Sequence, residues 1–396
     1  MRRETRLALM RRLLPVVEQN WPEMADRYMQ VPLDYYHDEA LAAKEREIFE
    51  TQPLALIAAS EIARPHDFVV RSAVDRSILL TRDADGQAHA FLNYCRHRGA
   101  EPASGCGSQR VFTCPYHGWN YDTKGRLAGL PLRDRYEGLD VSELGLVELP
   151  SEERHGFIWV VLRPESRIDV AGHLGELDAE LAALGCDRMS YYNSLPEEPL
   201  ATNWKSVAEG LLESLHVPFV HKGTFDQNPQ AAGVDLAVYD SFGPHVRYSL
   251  PMIGRDDVAR IRAQSEEEWD PKSSLGSVWW ISPGLLIAEE LYGLIYADLT
   301  PGTTVSSAIF RYGWLSPTKT APEGQPSPEE MAARAATAVG QDQPVWEGCG
   351  RGLTYGAHDY ALIGRNEKGV QLFHEALSRQ VGYQGLRYTS GSDQPG

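Results

Sequence analysis

The sequence is short of cysteine, of long apolar runs and of positive charge, and each shortage removes a class of protein. Its five cysteines in 396 residues are Cys95, Cys106, Cys114, Cys186 and Cys349. That is too few for a disulfide framework, and an odd number suits a reducing compartment. No stretch approaches the ~20 apolar residues that a membrane span requires. Lysine and arginine total 38 against 55 aspartates and glutamates, a formal charge of −17. Such a balance argues against nucleic acid or an anionic membrane as the main partner. No GxGxxG element is present, so the chain carries no such site for a dinucleotide. No internal repeat is visible. The basic start, MRRETRLALMRRLLPVVEQNW, has its apolar part interrupted by Arg11 and Arg12, and no small-residue cleavage site follows. A surface helix in a cytoplasmic protein is the expectation.

Hydrophobic residues at 42% and charged residues at 23% describe an ordinary globular chain, long enough for two domains. Residues 1 to about 30 read as a helical lead-in, and a second helix follows through Leu41, Ala42, Arg46 and Phe49. From about Pro53 the segments DFVVRSAV, RSILLTRD and AHAFLNYC are short, β-branched or aromatic, with turns such as Asp85-Gly86 and Lys124-Gly125. That texture predicts a meander of antiparallel strands ending near GFIWVVL. Beyond Pro164 helical texture returns, then strands over 233–318, including one along SVWWISPGLLIAEEL, then helices near 328–340 and 357–379. The expected class is α+β, with a small antiparallel β domain at 50–163 embedded in an α+β domain. Residues 1–49 form a helical segment packing with the larger domain, which itself spans 164–380, and 381–396 form a loosely held tail.

The stretch NWKSVAEGLLESLHVPFVH, Asn203 to His221, concentrates chemistry. Glu209, Glu213 and His216 fall at i, i+4 and i+7, one face of a helix. Pro218 cannot sit inside a regular helix, so a kink near His216 is expected, freeing His221 to swing back beside His216. Two histidines and a carboxylate on one side of a metal are the pattern of non-haem Fe(II) oxygenases. The competing reading is a pair of ordinary helix-end histidines.

A second constellation stands upstream. Cys95-x-His97 and Cys114-x-x-His117 occur in the contexts CRHRG and CPYHGW. Zinc accepts two cysteines and two histidines, but structural zinc sites pair like with like at wider spacing. One Cys and one His per loop suits a binuclear Rieske 2Fe–2S cluster, with both cysteines on one iron and both histidines on the other. Trp119 is expected to pack beside these loops, and Gly99 and Gly118 to let backbone amides approach the sulfides. Cys106 matches no ligand position.

With both constellations in view, the sequence resembles the oxygenase (alpha) component of the Rieske non-haem iron ring-hydroxylating oxygenases, from about Val31 to Gly369. The resemblance implies a Rieske domain inserted in a catalytic domain with a helix-grip-like antiparallel sheet and helices. It implies that Cys95, His97, Cys114 and His117 hold the cluster and that His216 and His221 hold a mononuclear Fe(II). Its third ligand is an aspartate followed after seven residues by Gln-x-Gly. Asp359 fits, with Glu367 in the Gln position and Gly369 in place, and His358 is the rival. Glu213 occupies the bridging acidic position, where it would link the cluster of one subunit to an iron-binding histidine of the next. Its alternative role is that of a solvated helix carboxylate.

The resemblance further implies O2 as co-substrate and a head-to-tail homotrimer. Electrons come from a separate reductase, sometimes through a ferredoxin, so NAD(P)H serves only indirectly. The leading expectation is mono- or cis-dihydroxylation of a small apolar or aromatic substrate. Oxidative demethylation of a methylated amine or ether is the alternative, and a Rieske electron carrier without catalysis is the alternative of another class. Leu211, Leu212, Phe219 and the strand bearing Trp279 and Trp280 are the expected pocket wall. Those two tryptophans alternate in direction, so at most one faces the cavity, and either could instead be core.

Overall fold

A computed structural model describes residues 1–193, 198–224, 236–290, 292–356 and 358–389. The chain divides into two units. One comprises Glu47–His173 with Gly185–Tyr191; the other comprises Met1–Arg46, Leu174–Leu184 and Tyr192–Gly396.

The first unit is built from short antiparallel strands. Asp67–Ala73, Arg76–Arg82 and Ala88–Leu92 pair in succession, as their alternating texture predicts, with Cys106–Ser108 and Glu148–Leu149 at the two edges. A smaller sheet, Val111–Thr113, Asn120–Asp122 and Leu127–Gly129, carries the second cysteine loop. Phe68, Leu79, Phe91, Phe112, Trp119 and Tyr121 form one buried cluster that also encloses Cys95 and Cys114. Cys95 and Cys114 therefore sit within a buried aromatic core of this unit.

The second unit is organised on a sheet whose strands follow chain order. Val238–Phe242, His245–Pro251, Leu275–Ile281, Leu285–Glu290, Gly293–Pro301 and Ala308–Ser316 each pair antiparallel with the next. The expected single strand SVWWISPGLLIAEEL is two strands with a turn between them. Pro283 has no amide to give a ladder, so the chain reverses there. Helix Lys368–Val381 packs by Phe373 against Trp280 and Trp204, ring edges on faces at 5.6 and 5.7 Å.

Helix Pro328–Tyr355 runs well past the expected end at 340, with Pro344 on its exposed side. Ser327 caps it reciprocally with Glu330, and Phe310 meets Trp346 on its inner side. The second C-terminal helix begins at Lys368 rather than 357, because Tyr360–Ile363 pairs as a strand with Tyr28–Pro32. The supposed tail also departs from expectation: Arg387–Thr389 pairs with Tyr28–Gln30 on the other side of that strand. Among the described residues no helix is long and apolar enough to cross a membrane.

Candidate active site

The two cysteine loops are local copies of one turn. Cys95 N donates to Ala100 O at 2.9 Å and Cys114 N to Trp119 O at 2.8 Å. Gly99 N returns to Cys95 O at 2.9 Å and Gly118 N to Cys114 O at 3.0 Å, with φ of +80° and +71°. Glycine is needed there for the left-handed backbone. Its amide closes the loop onto the cysteine carbonyl. His97 and His117 lie with ring centroids 4.6 Å apart, and Trp119 stacks on His97 at 5.1 Å and 6°.

Both cysteine side chains are buried, and Tyr121 Oη lies 3.2 Å from Cys95 Sγ. His97 Nδ1 is buried with no hydrogen-bond partner. An orphaned buried ring nitrogen is costly unless something coordinates it. The donor set thus fits the 2Fe–2S group its residues suggest, and Cys106, exposed on an edge strand, stays outside it.

The second site begins with Asn203, whose side chain accepts from Lys205 N at 2.9 Å and caps helix Trp204–Leu211. That helix ends at Leu211, not near His216, so Glu213 is not on the face predicted for it. The cause is local competition for amides. The Glu213 carboxylate accepts from the backbone of Leu215 and His216 and from His216 Nδ1. A new short helix, Val217–Val220, then holds Pro218 in its first turn, where the missing amide is harmless. The reversal brings the rings of His216 and His221 to 5.2 Å.

The third member is Asp342, from the middle of helix Pro328–Tyr355. Its Oδ1 lies 3.2 Å from His221 Nε2 and 3.7 Å from His216 Nε2. The three donor atoms fall within 4.8 Å of one another, the geometry of a metal-binding triad. Gln341, next to Asp342, accepts from His221 Nδ1 at 2.9 Å and so presents Nε2 to the triad. Burial opposes the charged form of His221, but Asp342, Gln341 and Glu213 outweigh it and hold its pKa above the ordinary value. The surroundings therefore favour positive charge.

Asp359 departs from its expected place. It is exposed in the turn before strand Tyr360–Ile363, where its carbonyl accepts from Leu33 N at 3.3 Å. His358 is exposed beside it, and Glu367 turns back to the amide of Gly364. The signal for Asp342 was nonetheless present. Gly350-Arg351-Gly352 follows Asp342 at the same spacing at which Glu367-Lys368-Gly369 follows Asp359. Glycine fits at 350 because an added Cβ would lie 2.5 Å from Thr202 Oγ1.

A cavity of about 240 Å³ opens beside the triad, lined by Glu213, His216, His221 and Asp342 together with side chains from five strands. Leu211 lines it as expected, but Leu212 is buried elsewhere and Phe219 is 76% exposed. Neither tryptophan lines it. Trp279 donates to Glu180 at 3.0 Å, and Trp280 lies under Phe373. The aromatic members of the wall are Tyr248, Phe310 and Tyr312.

Comparison with known proteins follows the same two sites. Residues 52–147 match the family model of the Rieske [2Fe-2S] domain. Residues 181–383 match that of the ring hydroxylating alpha subunit (catalytic domain). The chain is 28% identical over 300 residues to a chloroplastic choline monooxygenase of Beta vulgaris, covering 74% of this chain and 59% of that protein. It is 35% identical over 159 residues to the N,N-dimethyl phenylurea N-demethylase subunit alpha of Sphingobium sp. strain YBL2, covering 39% of this chain and 34% of that one. The alignments thus span less than two thirds of these relatives. A crystal structure of a quaternary ammonium Rieske monooxygenase with L-carnitine shares the fold, with a TM-score of 0.73, 21% identity and coverage of 90% and 96%.

Proposed function

Because this chain belongs to the family of ring-hydroxylating alpha subunits, we propose that it is the terminal oxygenase of a multicomponent Rieske system, acting on a small methylated amine. The observation that carries the reading is the convergence of His216, His221 and Asp342 on one side of a largely apolar cavity. Two imidazoles and one carboxylate suit a mononuclear Fe(II), and they leave the cavity side for substrate. An iron held there supplies the activation of O2; the other tasks belong to the chain. Glu213 fixes the tautomer and direction of His216, Gln341 does the same for His221, and the apolar walls keep water from the reacting carbon.

Choline and N,N-dimethyl phenylurea, named for the relatives, both carry N-methyl groups, which favours monooxygenation over arene dihydroxylation. One oxygen atom enters a C–H bond of the substrate, and the other leaves as water, taking two electrons from the donor and two protons from solvent. Insertion at an N-methyl carbon gives a carbinolamine that releases formaldehyde. We assign the donor role to a separate reductase delivering to Cys95, His97, Cys114 and His117.

A neighbouring copy, in a head-to-tail trimer, would cover the exposed rings of Tyr116, beside His117, and of Phe219, between the two triad histidines. Sedimentation of the holoprotein tests that assembly: three copies support it and a monomer removes it. For the reaction, the reduced holoprotein is mixed with heavy-isotope O2 and either methylated amines or arenes. One labelled oxygen per turnover, kept in the hydroxylated product or carried off in formaldehyde where an N-methyl carbon is the target, supports the reading. Two labelled atoms in an arene product would make it a dioxygenase. No label in any product, with about three irons bound per chain, would remove the oxygenase assignment.

A further inference from the structure

Strand Leu285–Glu290 turns alternate side chains to opposite faces, and its last two residues are both glutamates. Glu289 faces away from the cavity, where the guanidinium of Arg6 and the amide of Ser277 satisfy it. Glu290 follows Leu286 and Ala288 onto the cavity wall. Among the described residues no hydrogen bond and no ion pair reaches its carboxylate. The cavity wall includes Tyr248, Phe310 and Tyr312, and among the described residues no lysine or arginine lines it.

We propose that the substrate is an ammonium cation lacking an acid group, and that Glu290 is the residue that selects it by charge. The inference rests on the oxygenase reading above and narrows its substrate class. A carboxylate facing an apolar cavity is costly unless a cation offsets it, and aromatic faces add attraction for a methylated ammonium. The relatives act on both a cation and a neutral urea, so family membership leaves the charge open. The same wall disfavours a zwitterion, because an acid group would find no counter-cation and three carboxylates, Glu213, Glu290 and Asp342, already line the cavity. Burial pushes the Glu290 carboxyl up to about 7, with Arg334 working the other way, so a bound cation would draw it back down.

The test compares binding to the iron-loaded holoprotein by calorimetry. The probes are two cations, choline and phenyltrimethylammonium, and three others: 3,3-dimethylbutan-1-ol (the carbon isostere of choline), N,N-dimethyl-N′-phenylurea and L-carnitine. At least one cation is expected to bind at least ~10-fold more tightly than the neutral probes and carnitine, a difference of about 1.4 kcal/mol. Glu290→Gln should bring cation and isostere within about 2-fold while leaving the neutral probes unchanged, and Glu290→Asp should restore much of the preference. Iron content and circular dichroism establish that both variants are folded. Equal binding of choline and its isostere, failure of both cations to bind, or a preference that survives Glu290→Gln would each overturn the proposal. Labelled-oxygen turnover separates this from the larger reading. Oxidation of the neutral urea alone keeps the oxygenase and removes the cation, whereas tight cation binding without oxygen incorporation does the reverse.

Discussion

Lys205 Nζ lies 2.6 Å from Glu45 Oε1, with both side chains 1% exposed. Trp204 Nε1 takes the other carboxylate oxygen at 2.9 Å, and the ammonium sits 4.8 Å from the ring of Tyr35. The Asn-Trp-Lys element is thus an anchor: Asn203 caps the helix while Trp204 and Lys205 tie it to the N-terminal segment. Removing one partner of a sealed ion pair leaves the other charge buried. Lys205→Met should destabilise the fold by about 3–5 kcal/mol, read by denaturant unfolding. A variant as stable as the parent would show that water reaches the pair.

Asp342 and Asp359 make opposite predictions for metal content. Asp342→Asn should lower iron by about one atom per chain, as loss of a ligand implies, while the cluster's visible absorption stays. Asp359→Asn should keep both. Iron and acid-labile sulfide assays on the purified variants distinguish the two aspartates directly.

Glu213→Gln retains the length of the side chain but lets its amide offer a donor where His216 Nδ1 already donates. Both metal centres should persist, and turnover should fall by about 10–100-fold, the range for residues that orient a metal ligand. Reduction of the cluster by dithionite should be unaffected, which separates a fault at His216 from loss of the cluster. Unaltered turnover would remove Glu213 from the working site.

Gly369 lies in the first turn of helix Lys368–Val381, where an added Cβ would stand 2.5 Å from the carbonyl oxygen of Leu212. Leu212 directly precedes Glu213, so the helix and the ligand loop close on each other at this glycine. Gly369→Ala should cost about 1–3 kcal/mol, the range for overpacking, and should weaken iron retention. Thermal unfolding and iron content after dialysis measure the two effects.

Burial raises the Glu290 carboxyl from 4.5 to about 7, which gives the protein a pH-dependent weakness. An acid whose folded pKa lies above its unfolded value contributes stability at low pH and loses it as pH rises through that window. Arg334 offsets part of the charge, whereas Tyr248 and the acidic triad side of the cavity do not. Glu290→Gln should therefore raise Tm by a few degrees at pH 8, with the gain shrinking toward pH 5. A gain independent of pH would point to packing instead of charge.

Much of this was legible in the chain. The cysteine loops could be read because each packs its ligands within a few residues, so spacing alone constrains geometry. His216 and His221 were legible for the same reason, although the helix breaks ahead of His216, where Glu213 captures amides, and not at Pro218. Asp342 was harder, since two aspartates carry a glycine at the same distance and only the course of the long helix decides between them. Glu289 and Glu290 were beyond reach. Which of two adjacent residues faces inward depends on strand register, and that register is set by the turn at Pro283 within an apparently continuous apolar run.

Helix Pro328–Tyr355 supplies Ala335, Ala338 and Val339 to the cavity wall and, within the next turn, Gln341 and Asp342 to the histidines. One rigid element therefore feels both what fills the cavity and what sits between the imidazoles. A displacement of this helix by either occupant is a displacement felt by the other, and the resulting cooperativity is mutual. By whatever factor a substrate changes the affinity for iron, iron changes the affinity for that substrate by the same factor.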